Sequence, residues 1–240
     1  MGFSFTLTSL FKITNNQGAP PYDVSFNDDL DINRFSWLKN WKRPDGPPKV
    51  GLQVGHWKND ELPDELAKLK GSTGSKGGGK SEWEVNLAIA EQTKKLLEEK
   101  EVAVDILPAT VTQEYWADVF VSIHADGSTE PGKSGFKAAS PRRDFSGNAN
   151  KLLMFIEEEY AQVTNLAKDP NVTRNMRGYY AFAWWRYDHA VHPMTSSVIL
   201  ETGFLTSPSD RRLIVNQPEV AAAGIASGII NFLTNEGLLT

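Results

Sequence analysis

Short apolar segments alternate with longer amphipathic segments from Lys49 onward, and this alternation constrains the fold more than any other feature of the chain. The apolar segments have the length and pattern of buried strands, and a helical pattern follows several of them. Such alternation is typical of a mostly parallel sheet covered by helices on both faces. We therefore expect a single α/β domain over residues 49–240. The predicted strands are 50–54, 102–107, 119–123, 135–137 and 197–200, and the predicted helices are 82–100, 151–164, 210–216 and 219–234.

Residues 1–48 have a different composition. They contain five of the thirteen prolines and several Asn and Asp clusters. Residues 3–7 alternate as a short strand would, but the segment has too few apolar residues to form a core of its own. We expect a proline-rich N-terminal arm and not a second domain.

The composition narrows the possible functions. The 240 residues include no cysteine, so disulfides, thiolate zinc ligands and a cysteine nucleophile are all excluded. The net charge of −5 argues against a duplex-DNA partner. No apolar run reaches the roughly 18 residues of a membrane span, and the first residues show no signal-peptide pattern. With four histidines and no cysteine, any zinc site must be built from histidine and carboxylate.

Three predicted strands run into side chains that can bind a metal or carry a proton. His56 follows the first strand, His124 follows the strand at 119–123, and Glu201 follows the last strand. Ligands of open α/β sheets bind beyond the carboxyl ends of the strands. We therefore expect these three side chains to converge at one edge of the sheet.

Helix phasing adds a carboxylate to this group. Ser81 and Glu84 form a capping-box pattern, which makes Glu82 the first helical residue. Glu82 then shares the buried stripe of Val85 and Ile89, where an unpaired carboxylate is expensive and a bound cation would offset the penalty. His56, Glu82 and His124 would supply two imidazoles and a carboxylate, as at catalytic zinc sites. The three residues are far apart in the sequence and form no short zinc-binding motif. A loop histidine at 56 and a strand-end histidine at 124, neither of them a metal ligand, therefore remain alternatives.

Four sequence blocks, taken together, resemble the zinc-dependent N-acetylmuramoyl-L-alanine amidases, the family often called amidase 3. The blocks appear in the family's order between Lys49 and Thr234, and they are Val50–Trp57, Glu82–Ala90, Ala117–Ala125 and Ile199–Leu205. Two departures stand out. Gln53-Val54 replaces the family's usual Asp-Pro before Gly-His, and Arg174–Met194 matches no block.

The resemblance implies a function and a role for each residue. His56, Glu82 and His124 would bind Zn²⁺, and Glu201 would be the catalytic general base. The reaction would be hydrolysis of the amide between the lactyl group of N-acetylmuramic acid and L-alanine in peptidoglycan. We expect a monomer acting outside the cell, in the wall or periplasm, as a secreted bacterial enzyme or a phage-encoded lysin.

Several alternatives stay open at this point. A zinc carboxypeptidase acting on stem peptides would use similar residues, but its short HxxE start is absent. An inactive wall-binding module is a second alternative. Residues 74–81 match the phosphate-binding GxxxxGK[ST] pattern, although residues 66–69 before it predict helix or loop where that site needs a strand. His189 and His192 are expected in a loop, with a substrate contact as the alternative.

Overall fold

A mostly parallel sheet forms the centre of the protein. The computed structural model describes residues 37–38, 40–130 and 132–240. Within these residues the strands are β1 Lys49–Val54, β2 Lys76–Gly77, β3 Lys80–Ser81, β4 Ala103–Leu107, β5 Val119–Asp126, β6 Lys137–Ala139 and β7 Ser196–Phe204. The main sheet has the order β4-β1-β5-β7-β6, in which the first four strands are parallel and β6 is antiparallel to β7.

Three long helices pack on one face of this sheet. The helices are α1 Glu82–Glu98, α2 Ala149–Thr164, α3 Arg174–Arg177, α4 Pro208–Ile214 and α5 Pro218–Asn235, with 3-10 helices at Asn59–Glu61, Asp64–Leu69 and Tyr180–Phe182. Alternate strand residues such as Val50, Val121 and Leu200 face the main core, where they pack with the buried sides of α1, α2 and α5. The predicted α/β class with a mostly parallel sheet is thus confirmed.

The opposite face of the sheet is covered differently. The intervening strand residues, such as Phe120 and Ile199, pack in a second core with Met176, Phe182 and Val191. The covering elements are short: the four-residue α3, one 3-10 helix and connecting loop. The segment 174–194, which matched no sequence block, is therefore the cover of this second face.

Some strand and loop boundaries differ from the sequence predictions. β5 continues through His124 to Asp126, and β7 continues through Glu201 to Phe204, so both residues lie within strands and not after them. β7 pairs with β6 as far as Glu201 on one side and with β5 as far as Phe204 on the other, so pairing with β5 continues along the extended part. The glycine-rich segment forms the hairpin β2–β3 after a 3-10 helix, so a strand does not precede it as phosphate binding requires.

Residues 41–240 form one compact unit. Of residues 1–40 the structure describes 37, 38 and 40, which have 3-10 conformation. The strand expected at residues 3–7 lies outside the described residues. In the described part of the chain, no single helix is long and apolar enough to cross a membrane; α4 and α5 pass that test only together, with a 70° bend between them.

Candidate metal centre

The four side chains singled out in the sequence come from four different parts of the fold. His56 lies in the turn after β1 with a φ of 63°, and Glu82 is the first residue of α1. His124 in β5 and Glu201 in β7 are register partners. Paired residues of neighbouring parallel strands project from the same face, so the last two side chains lie beside each other.

His56, Glu82 and His124 converge. One ligand atom from each lies within 4.8 Å of the other two, and within the described residues this is the one such group of three or more histidines and carboxylates. Glu82 Oε1 is 3.0 Å from His124 Nδ1 and 3.5 Å from His56 Nε2. The three residues chosen from the sequence are thus brought together by the fold.

The start of α1 fixes the position of Glu82. The capping box between Ser81 and Glu84 is present, so Glu84 has the structural role expected from the sequence. Glu82 is 4% exposed, and its Oε2 accepts a 2.7 Å hydrogen bond from the backbone N–H of Ser75. Burial by itself would raise the pKa of Glu82, but the hydrogen bond from His124 and the charges of both histidines lower it to about 2. Glu82 is therefore an anion aimed at two imidazoles.

Each histidine is oriented through its second nitrogen. His56 Nδ1 lies 2.8 Å from the carbonyl oxygen of Ser72, which can only accept, so Nδ1 carries a proton and Nε2 is the nitrogen that has the lone pair when the ring is neutral. His124 Nε2 lies 3.3 Å from Tyr179 Oη, while its Nδ1 faces Glu82. Outer contacts of this kind are what hold ligating histidines in one tautomer.

Two glycines allow the backbone to approach these ligands closely. A Cβ at Gly55 would lie 2.4 Å from Cε1 of His124. A Cβ at Gly74, whose φ is +71°, would lie 2.3 Å from Glu82 Oε2 and 2.7 Å from His56 Cδ2. Part of the glycine-rich loop therefore packs its backbone against the cluster of His56, Glu82 and His124.

Glu201 has the properties of a proton acceptor beside the cluster. Burial raises its pKa to about 7, a shift opposed by His124 and Lys137 and reinforced by the negative charges of Glu82 and Asp126. Its Oε2 is buried and has no hydrogen-bond partner among the described residues. A buried carboxyl oxygen without a partner requires explanation, and an attacking water would supply the missing hydrogen bond.

The donor set fits a divalent zinc ion. Two imidazole nitrogens and one carboxylate oxygen are the ligands of many catalytic zinc sites, which keep a fourth position open. The low pKa of Glu82 keeps that ligand deprotonated, as metal binding requires.

The remaining histidines lie apart from this cluster. His189 Nδ1 is 2.7 Å from Glu65 Oε1, and the ring of His192 lies 5.3 Å from that of Trp41. Sequence reasoning gave no role to Tyr179 or Gln53. The Tyr179 hydroxyl lies 3.3 Å from His124 Nε2 and donates a hydrogen bond to Gln53. Tyr179 lies in the unmatched segment, and only its position in the folded chain shows that its hydroxyl reaches a ligand.

Comparison with known proteins identifies the family. The N-acetylmuramoyl-L-alanine amidase family matches residues 50–231, which is most of the chain. The chain belongs to this family. Its members hydrolyse the bond between N-acetylmuramic acid and L-alanine in peptidoglycan, and this chain is an amidase of that type. The match favours this activity over the carboxypeptidase alternative.

Solved structures of amidases share the fold. The amidase AmiC2 of Nostoc punctiforme superposes with a TM-score of 0.55 at 19% identity, covering 80% of this chain and 99% of that one. Ami1 of Mycobacterium smegmatis superposes with a TM-score of 0.58 at 17% identity, covering 78% of this chain and 97% of that one. The catalytic domain of CwlV from Bacillus (Paenibacillus) polymyxa superposes with a TM-score of 0.55 at 20% identity, covering 78% of this chain and 98% of that one. No curated protein sequence matches the chain significantly.

Proposed function

We propose that His56, Glu82 and His124 bind Zn²⁺ and that Glu201 is the general base of the amidase reaction. The observation that carries this proposal is the convergence of three suitable ligand atoms within 4.8 Å of one another, from three separate elements. Glu201, the register partner of His124, has a raised pKa and an unpaired oxygen.

The residues divide the chemistry between them. Zinc, when bound, polarises the scissile carbonyl and lowers the pKa of water. Glu201 accepts the proton of the attacking water at a carboxyl oxygen and then delivers it to the nitrogen of the leaving L-alanine. A pKa near 7 suits both steps, because the group can accept and return a proton at neutral pH. Glu82 keeps its negative charge throughout because its pKa is low.

The site of action and the assembly are part of the same proposal. The substrate lies in the cell wall, so we propose that the protein acts there, as a secreted or phage-encoded bacterial enzyme. We propose a monomer, with residues 1–48 as an arm and residues 49–240 as the catalytic domain. Size-exclusion chromatography with light scattering and a variant lacking residues 1–48 test these two points.

Two isosteric substitutions test the assignment of roles. Glu82→Gln removes a ligand charge, so we expect it to lose zinc and activity together. Glu201→Gln should retain about one zinc per chain while its turnover falls by about 10²–10⁴-fold, the usual contribution of general base catalysis. Metal content by mass spectrometry and amide hydrolysis are measured on the same samples. Equal zinc content in both variants, or substantial turnover by Glu201→Gln, contradicts the assignment.

A further inference from the structure

A chain of hydrogen bonds continues from His124 into the second core. Tyr179 Oη lies 3.3 Å from His124 Nε2 and donates to Gln53 Oε1 at 3.0 Å. Gln53 Oε1 also accepts from Ser122 Oγ at 2.8 Å. Gln53 and Ser122 are fully buried, so these partners are not exchanged for bulk water.

The orientation of the Gln53 amide gives this chain a direction. Gln53 Nε2 donates to the backbone carbonyl of Ala109 at 2.8 Å and to Tyr180 Oη at 3.0 Å. A carbonyl can only accept, so the NH₂ group must face Ala109 and Oε1 must face Tyr179. Tyr179 has one hydroxyl proton, and Gln53 Oε1 takes it because this acceptor lies at 3.0 Å, nearer than Tyr180 Oη at 3.4 Å. The lone pairs of Tyr179 Oη are then left to accept a hydrogen bond from His124 Nε2–H.

We propose that Tyr179 and Gln53 are positioning residues that hold His124 in the tautomer with its proton on Nε2, so that Nδ1 is free to ligate the metal. This inference rests on the proposed metal site. The proton on Nε2, the nitrogen that points away from Glu82, is held by a chain of hydrogen bonds through Tyr179 and Gln53 that ends at the backbone carbonyl of Ala109. In the apo protein Nδ1 contacts Glu82 Oε1, and metal binding at Nδ1 replaces this contact while the proton on Nε2 keeps its partner, which increases the affinity for zinc.

The direct test is the zinc dissociation constant, measured by competition with a chromophoric chelator. Tyr179→Phe keeps the ring that packs edge-on against His124 and removes only the hydroxyl. We expect its dissociation constant to rise about 10–100-fold, as for other outer partners of metal ligands. Tyr115→Phe is the matched control, because it also removes a buried tyrosine hydroxyl. That hydroxyl donates a 3.0 Å hydrogen bond to Asp105 and takes no part in the cluster. The control should bind zinc like the wild type.

A double-mutant cycle tests the proposed direction. Gln53→Met removes the nearer acceptor of Tyr179 and leaves the more distant Tyr180 Oη at 3.4 Å, so the hydroxyl can turn to donate to His124 Nε2 and favour the wrong tautomer. Gln53→Met alone should therefore weaken zinc binding, whereas adding it to Tyr179→Phe should change the dissociation constant little further. Melting temperatures of the apo proteins show whether each variant is folded.

The outcomes separate this inference from the proposed function. If the wild type binds no zinc, the proposed metal site is wrong. If the wild type binds zinc and Tyr179→Phe binds it within threefold, only the positioning role is overturned. Additive effects of the two substitutions likewise contradict the hydrogen-bond chain, because they mean that Gln53 acts independently of Tyr179.

Discussion

Gly74 offers a sharp test of how the glycine-rich loop serves the metal centre. In Gly74→Ala the new Cβ would lie 2.3 Å from Glu82 Oε2, whereas real Cβ contacts essentially never fall below 3.0 Å. Glu82 Oε2 must therefore move away by about 0.7 Å. The φ of +71° adds about 1–2 kcal/mol of backbone strain for an L-residue. We expect lower stability and at least tenfold weaker zinc binding, a change of about 1.4 kcal/mol.

Gly79→Ala is a matched control for this substitution. Its φ of +75° imposes similar strain, but nothing lies within 4 Å of the added Cβ. Gly79→Ala should therefore lose about 1–2 kcal/mol in urea unfolding of the apo protein, and Gly74→Ala should lose more because of its added contacts. Only Gly74→Ala should lose zinc affinity in a chelator competition. Equal zinc affinity in the two variants would refute the idea that Gly74 makes room for the ligands.

Three further predictions concern proton transfer, stability and the remaining histidines. A general base must be ionised, and burial raises the pKa of Glu201 to about 7, so kcat/KM should rise with pH through a pKa above the ordinary 4.5 of glutamate. Glu201→Gln should remove this limb of the pH–rate profile. Asp118→Asn should lower the free energy of unfolding in urea by about 1–3 kcal/mol at unchanged zinc content, because Arg43 binds that carboxylate at 2.6 and 2.9 Å. His189→Ala should retain full zinc content in metal analysis, because its partner is Glu65.

The convergence of His56, Glu82 and His124 could be predicted because it depends on local patterns. The capping box of Ser81 and Glu84 fixes where α1 begins, and this start alone places Glu82 on the buried stripe. His56, His124 and Glu201 belong to strands or strand ends that periodicity identifies, and parallel strands bring such positions to one edge. The family resemblance and the helix phasing selected Glu82 independently.

The supporting contacts could not be predicted, because they join residues far apart in sequence. Tyr179 and Gln53 are 126 positions apart, and no local pattern records which hydroxyl will reach which amide. The same holds for the cover of the second face, since segment 174–194 has little regular helix or strand periodicity. The extension of β7 beyond Glu201 involves pairing of Phe204 with Asp126 of β5, which is also a property of the assembled sheet.

Digestion of purified muropeptides with product analysis by mass spectrometry tests the central claim most directly. We expect free lactyl groups and new L-alanine amino termini, produced by the wild-type protein, abolished by a chelator and restored by Zn²⁺. Stem peptides shortened at other bonds, with the lactyl–alanine amide intact, would contradict the amidase assignment. Cleavage at the expected amide that is indifferent to the chelator would contradict the proposed role of His56, Glu82 and His124.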